Sequence, residues 1–198
     1  MTGRLLYLAR HADADADSPP AGLSEAGRRQ AGLLGERLAG VPFGAVWHGP
    51  LPRAAQTAQL VARHLPGVPL HPDELVGDYP PSAPDPADLP PAYAAFLDGL
   101  SAAELTRGPE LAAAAIERFT RPDGPPELIV THAFLVAWFV LHALDAPPAR
   151  WLGLNASNAA LTVIRYRVDR PPALHLFNDM THLPSGLHWT GFPPALRP

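Results

Sequence analysis

The stretch Leu5 to Ala9 (LLYLA), followed at once by Arg10 and His11, decides how the rest of the chain is read. It is a short, continuous apolar run bounded by polar residues. That is the pattern of a strand buried on both faces, as in a parallel sheet covered by helices on either side. His11 then falls just past the carboxyl end of this strand. After the polar loop from Asp13 to Gly22, Ser24 is placed to cap a helix in which Ala31, Leu34 and Leu38 recur at helical spacing. Ala45 to Trp47 reads as a second strand, and Arg53 to Leu65 as a helix with Ala54, Ala58, Val61 and Leu65 on one side.

Further along, helices are expected around Ala92 to Leu100 and Glu110 to Phe119. A strand at Leu128 to Thr131 feeds a helix from Phe134 to Leu144, and strands near Ala160 to Arg167 and Ala173 to Phe177 complete the sheet. Strands alternating with helices imply an α/β fold: a three-layer sandwich whose central, mostly parallel sheet carries helices on both faces. Between the elements, Pro72 to Pro91 is too proline-rich to be regular and too long for an ordinary connection, so it is expected to cover the site as an irregular loop. With 198 residues, 47% of them hydrophobic, the chain suits a single domain over residues 1–198.

Composition narrows the chemistry. The net charge of −4 offers no general attraction to nucleic acid or to an anionic membrane, so an anion site has to be built locally. All 15 basic residues are Arg and none is Lys, which excludes Schiff-base chemistry and leaves guanidinium forks as the permanent cations. With no cysteine there is no thiolate nucleophile and no Cys-ligated metal. The apolar stretch before Arg10 is too short for a signal-peptide core, so a cytoplasmic protein is expected. Leu128 to Leu144 approaches the lower length of a membrane span, but its histidines and proline-rich entry favour a buried strand and helix.

In a doubly covered parallel sheet, ligands bind outside the carboxyl ends of the strands. Arg10 and His11 follow the first strand, Arg53 the second and His132 the one at Leu128, so all four are expected to converge at one edge. A neutral imidazole attacks phosphorus through one nitrogen when the other is held by a carbonyl or carboxylate; His11 is the candidate. Arg10, Arg53 and a protonated or hydrogen-bonding His132 suit the charge on a transferring phosphoryl group. A leaving alkoxide needs a proton from a carboxyl group, and the proline-rich loop offers Asp73, Glu74, Asp78, Asp85 and Asp88.

Five segments carry a family resemblance. YLARHADAD (7–15) resembles the strand and Arg-His-Gly signature of the histidine phosphatase, or phosphoglycerate-mutase-like, superfamily. GLSEAGRRQA (22–31) resembles its following helix start and GPLPRAAQTA (49–58) its Ser-Pro-Leu-x-Arg-Ala-x-x-Thr-Ala motif. VTHAFLV (130–136) resembles its second-histidine motif, and FNDMTHL (177–183) a C-terminal segment of its phosphatase branch. They occur in the family's order and span most of the chain. The resemblance implies His11 as the phosphorylated nucleophile and Arg10, Arg53 and His132 as the phosphate pocket, with no metal or other cofactor.

The chain departs from the pattern at three places. The signature glycine is Ala12, and His48 with Gly49 replaces the serine before Pro-Leu. The family's proton-donating Glu aligns near Gly77, which makes Asp78 the preferred donor, with Glu74 behind it. Without such a donor, substrates with better leaving groups, such as phosphohistidine, gain weight.

Asp13, Asp15 and Asp17 invite a calcium loop, but the sixth and twelfth positions are Ser18 and Ser24 rather than Gly and Glu. His64, His71, His142, His175 and His188 read as surface or packing residues, and Asn178, Asp179 and His182 as structural hydrogen-bonders. The function expected is hydrolysis of a phosphomonoester or phosphohistidine, on a phosphorylated small molecule or phosphoprotein, through phospho-His11. A phosphomutase and a catalytically weak phosphate-binding module are the alternatives. Nothing in the sequence speaks to oligomeric state.

Overall fold

The computed structural model describes residues 3–15 and 20–198. Six strands form one sheet in the order β3-β2-β4-β1-β5-β6: β1 (Arg4–Arg10), β2 (Ala45–His48), β3 (Leu70–Pro72), β4 (Glu127–Thr131), β5 (Leu161–Tyr166) and β6 (Ala173–Asp179). β1 to β4 are mutually parallel, β5 runs antiparallel to β1, and β6 antiparallel to β5, so β5 alone among the described strands opposes the rest.

The register explains the layering. On β1, Leu6 and Leu8 point to the face covered by α4 (Ala102–Phe119) and α5 (Ala133–Ala143), packing with Phe119, Val136 and Phe139. Ala9 points to the other face, where α1 (Glu25–Leu38) and α2 (Pro52–Ala62) supply Leu34, Leu38, Ala54, Ala58 and Val61. The short helix α3 (Pro91–Asp98) lies outside α5, with Leu97 against Ala137, Leu141 and Trp151. This is the three-layer α/β sandwich expected from the pattern.

Several boundaries differ from the sequence reading for identifiable reasons. Leu5 and Tyr7 are only half-buried, because α1 and α2 leave that part of the sheet near β6 uncovered. The strand β3 lies in a stretch with no strand signal of its own; pairing with β2 imposes it. α4 begins at Ala102 rather than Glu110, because Ser101 and Glu104 form a capping box that starts the helix before Pro109 and carries it through. Residues 72–91 contain two single turns of 3₁₀ helix, Glu74–Val76 and Pro86–Asp88. Of that segment's described residues Asp78 faces the central cleft, while 83–86 lie in a groove against α3 and α4.

Among the described residues, no helix is long and apolar enough to cross a membrane. The apolar stretch at 128–144 is the buried pair β4 and α5, the latter 11 residues long.

Candidate active site

The four parallel strands deliver their following residues to one edge, as their direction requires. Arg10 ends β1 and His11 follows it. Arg53 sits in the first turn of α2 after β2, Asp78 lies beyond β3, and His132 caps α5 after β4. These five side chains, with Ala14, Ala21, Ala133 and Phe134, line one cleft of about 300 Å³.

The peptide that carries His11 is fastened on every side. His11 N–H donates to Thr131 O at 2.8 Å, and Asn158 Nδ2 donates to His11 O at 2.9 Å. Ala12 N–H donates to Thr57 Oγ1 at 3.0 Å, and the Thr57 hydroxyl donates to Arg53 O at 2.7 Å, so one buried hydroxyl couples the loop that carries His11 to the helix bearing Arg53. Ala159 N–H approaches the carbonyls of Arg10 and His11 from a backbone with φ of 54°, a strained conformation for a non-glycine residue beside the cleft. The loop after His11 is pinned by α1: Ser24 accepts from Gly27 N–H and donates to Asp13 Oδ2 at 2.7 Å. Gly27 allows this approach, since a Cβ there would collide with the Asp13 carbonyl.

These contacts set the imidazole's tautomer. Nδ1 of His11 lies 2.8 Å from Ala12 O, which can only accept, so that nitrogen carries the proton. Nε2 of His11 therefore carries the ring's lone pair, and that lone pair accepts from Arg53 Nε at 3.2 Å. Burial pushes the His11 pKa down to about 3, with the neighbouring His132 and Arg10 charges adding to the effect. His132, 2% exposed, is lowered to about 3 by burial and by Arg53 and Arg10. Both rings are therefore neutral at physiological pH, their centroids 5.0 Å apart.

Neither nitrogen of His132 has a hydrogen-bond partner among the described residues, although Nδ1 lies 3.4 Å from Asp78 Oδ2. A buried imidazole with no partner is costly unless something else meets it, and here it faces the cleft. Arg10 is braced by Nη1 donating to Ala156 O at 2.8 Å, and burial lowers its pKa. Asp78 Oδ2 accepts from Arg53 Nη2 at 2.8 Å. Two guanidinium groups and two imidazoles thus face one carboxylate, a locally positive pocket in a chain of net charge −4. The first turn of α5, at Ala133 and Phe134, adds a helix N-terminus to the same wall. The whole arrangement suits an anion with several oxygens beside a neutral imidazole nucleophile.

Glu74 is exposed and paired with Arg107 at 3.0 Å, away from the cleft. His48 is buried, with Nδ1 2.8 Å from Gly49 O, and does not line the cleft. Gly49 does bear on it, because a Cβ at that position would press on Val76 O and come within 3.3 Å of His132 Nε2. Asn178, Asp179 and His182 make local bonds to Ser157 N, Thr181 N and Ala159 O. Asp17 and Ser18 of the weighed calcium loop lie outside the described residues. Sequence reasoning missed Thr57, Ala156, Asn158 and Phe134. Thr57 stood in plain sight as the threonine of GPLPRAAQTA, whereas Ala156 and Asn158 act through backbone contacts that leave no local signal.

Comparison with known proteins gives the family and the fold. A family model described as the histidine phosphatase superfamily (branch 1) matches residues 6–180. The mitochondrial serine/threonine-protein phosphatase Pgam5 of Caenorhabditis briggsae is 30% identical over 191 residues, covering 91% of this chain and 64% of the relative. Its human counterpart PGAM5 is 30% identical over 189 residues with the same coverage. The chain thus spans a little under two thirds of the curated relatives it matches.

Among solved structures, a mycobacterial hydrolase superposes with a TM-score of 0.70 at 22% identity, covering 94% of this chain and 95% of that one. The phosphoglycerate mutase of Plasmodium falciparum gives 0.63 at 19% identity, covering 93% and 96%, and shows the same fold. The cytoplasmic location expected from the sequence is corrected by the relatives, which are named as mitochondrial proteins. They extend well beyond the span matched here, so the apolar content of the first residues is no guide to compartment.

Proposed function

This chain belongs to the histidine phosphatase superfamily, and on that premise we propose that it hydrolyses phosphomonoesters through a covalent phosphohistidine on Nε2 of His11. The observation that carries the reading is the tautomer. Nδ1–H is held by Ala12 O, so the lone pair is on Nε2, where Arg53 Nε covers it until a phosphoryl group draws that fork away, in a cleft lined by Arg10, Arg53 and His132.

The substrate's phosphoryl oxygens take up Arg10, Arg53 and the unpartnered His132. Nε2 of His11 then attacks phosphorus as the ester P–O bond breaks. The phosphate draws the Arg53 fork away from Asp78, whose carboxylate takes up the proton of the phosphomonoester monoanion and passes it to the departing oxygen, releasing the alcohol. In the second half, Asp78 accepts a proton from water as the water oxygen attacks phosphorus. The P–N bond breaks, inorganic phosphate leaves with the proton held on Asp78, and His11 regains its lone pair. Asp78 is the donor because it is the carboxylate in the cleft, whereas Glu74 is committed to Arg107. The substrates are phosphorylated small molecules or phosphoproteins, the latter suggested by relatives named as serine/threonine-protein phosphatases.

The test measures phosphate release from an alkyl phosphomonoester and from phosphoramidate, with EDTA present, for the wild type and His11→Ala. Acid-labile label from a ³²P-substrate should be trapped on the wild type and not on the variant. Hydrolysis that survives His11→Ala overturns the covalent mechanism. No release from either substrate leaves a phosphate-binding module.

A further inference from the structure

Beside the cleft lies a second cavity of about 290 Å³, lined by Tyr93, Phe96, Phe134, Trp151, Leu152 and Asn155. Phe134 belongs to both. It stands two residues after His132, in the first turn of α5, so its ring is the partition between the phosphoryl cradle and this aromatic groove. The rings are organised rather than merely adjacent. Phe134 meets Trp151 edge-to-face at 4.8 Å, and Phe96 meets Phe134 at 5.7 Å and Trp151 at 6.1 Å. Trp151 is fully buried and anchors the set, while Phe96 remains 40% exposed on α3. Tyr93 closes one side against Gly153, where a Cβ would press on its hydroxyl at 3.0 Å.

Among the described residues no arginine or histidine lines this groove, and the amide side chain among them is Asn155, next to the Ala156 carbonyl that braces Arg10. An alcohol bearing a carboxylate or a second phosphate would meet no compensating cation there, whereas a planar apolar group would find ring edges and faces. Resting on the reading of the cleft as a phosphoryl site, we propose that this groove is the leaving-group subsite and that it selects small phosphomonoesters whose alcohol carries an aromatic or similar apolar group. The two cavities together have the dimensions of a small-molecule site.

The experiment compares kcat/KM for 2-phenylethyl phosphate and ethyl phosphate, two alkyl esters differing in the ring alone. In parallel, calorimetry measures the affinities of 2-phenylethylphosphonate and ethylphosphonate, which cannot be hydrolysed. The ring should be favoured by roughly tenfold or more in both assays, from the apolar area it removes from water. Phe96→Ala, at a half-exposed position whose loss the fold should tolerate, should reduce that preference severalfold. Equal affinities of the two phosphonates overturn the proposal, as does a ring preference that Phe96→Ala leaves intact. A phosphoserine peptide preferred over 2-phenylethyl phosphate by a similar margin overturns it in favour of a polypeptide occupant. If neither ester is turned over while the phosphonates still discriminate, the phosphatase reading fails and the subsite stands.

Discussion

Nε of Arg53 donates to Nε2 of His11 at 3.2 Å, on the lone pair that the proposed reaction uses. The same guanidinium donates through Nη2 to Asp78 at 2.8 Å, so Arg53 ties the proposed nucleophile and the proposed acid together. An incoming phosphoryl group offers stronger, bidentate acceptors for that fork. Its binding therefore uncovers the nucleophile and releases the acid in one exchange.

Arg53→Lys keeps the charge but loses the two-pronged geometry, because an ammonium is a single point of positive charge on a flexible stem. kcat/KM for an alkyl phosphomonoester should fall by roughly two orders of magnitude, a loss of about 2.7 kcal/mol of transition-state binding. Steady-state kinetics of the variant checks it. Near-wild-type kinetics would mean that charge alone suffices.

Asp78→Asn removes the proposed proton donor, which poor leaving groups need and good ones do not. Hydrolysis of ethyl phosphate should drop by about 10²-fold or more, while phosphoramidate, whose nitrogen leaves already protonated, loses far less. A parallel loss on both substrates would point to an electrostatic role instead.

The two buried histidines predict the pH dependence of stability. Folded, both have pKa values lowered to about 3; unfolded, they should titrate near the ordinary value of about 6.5. Between those values the unfolded chain binds more protons than the folded one, so this part of the stability is complete above about pH 6.5 and is lost as the pH falls toward 3. Urea midpoints at about pH 7.5 and about pH 5, a window in which ordinary carboxylates scarcely titrate, should show wild type weaker at the lower pH and His132→Gln less sensitive.

Thr57→Val tests the hydroxyl bridge. Thr57 is fully buried, and its Oγ1 accepts from Ala12 N–H and donates to Arg53 O. Its isosteric loss leaves Ala12 N–H unpartnered, since Arg53 O lies inside α2, at a cost of about 1–3 kcal/mol in urea denaturation. Thr57→Ser should retain most of the stability. kcat should fall in Thr57→Val as well, since the bridge holds the nucleophile loop to α2.

Much of this protein was legible before any coordinates. The run at Leu5 to Ala9, the helical spacing after Ser24 and the strand–helix alternation determine a parallel sheet with two covered faces. The direction of parallel strands then sends Arg10, His11, Arg53 and His132 to one edge. These are local signals, because periodicity and capping act over a few residues and the carboxyl-end rule needs only strand order.

What the tertiary structure decided is everything that depends on contacts between distant segments. Asp78 was one of several carboxylates in the chain and became the cleft's carboxylate when β3 paired with β2 and aimed the following turn inward. The neutral state of His11 and His132 comes from burial by both helical layers, and the tautomer from a single carbonyl set by the turn at Ala12. Phe134 read as one more apolar residue in a helix; its position between two cavities follows from α3 packing outside α5. Sequence pattern reports what each segment prefers by itself, while desolvation, hydrogen-bond partners and cavity walls arise only when segments far apart in the chain meet.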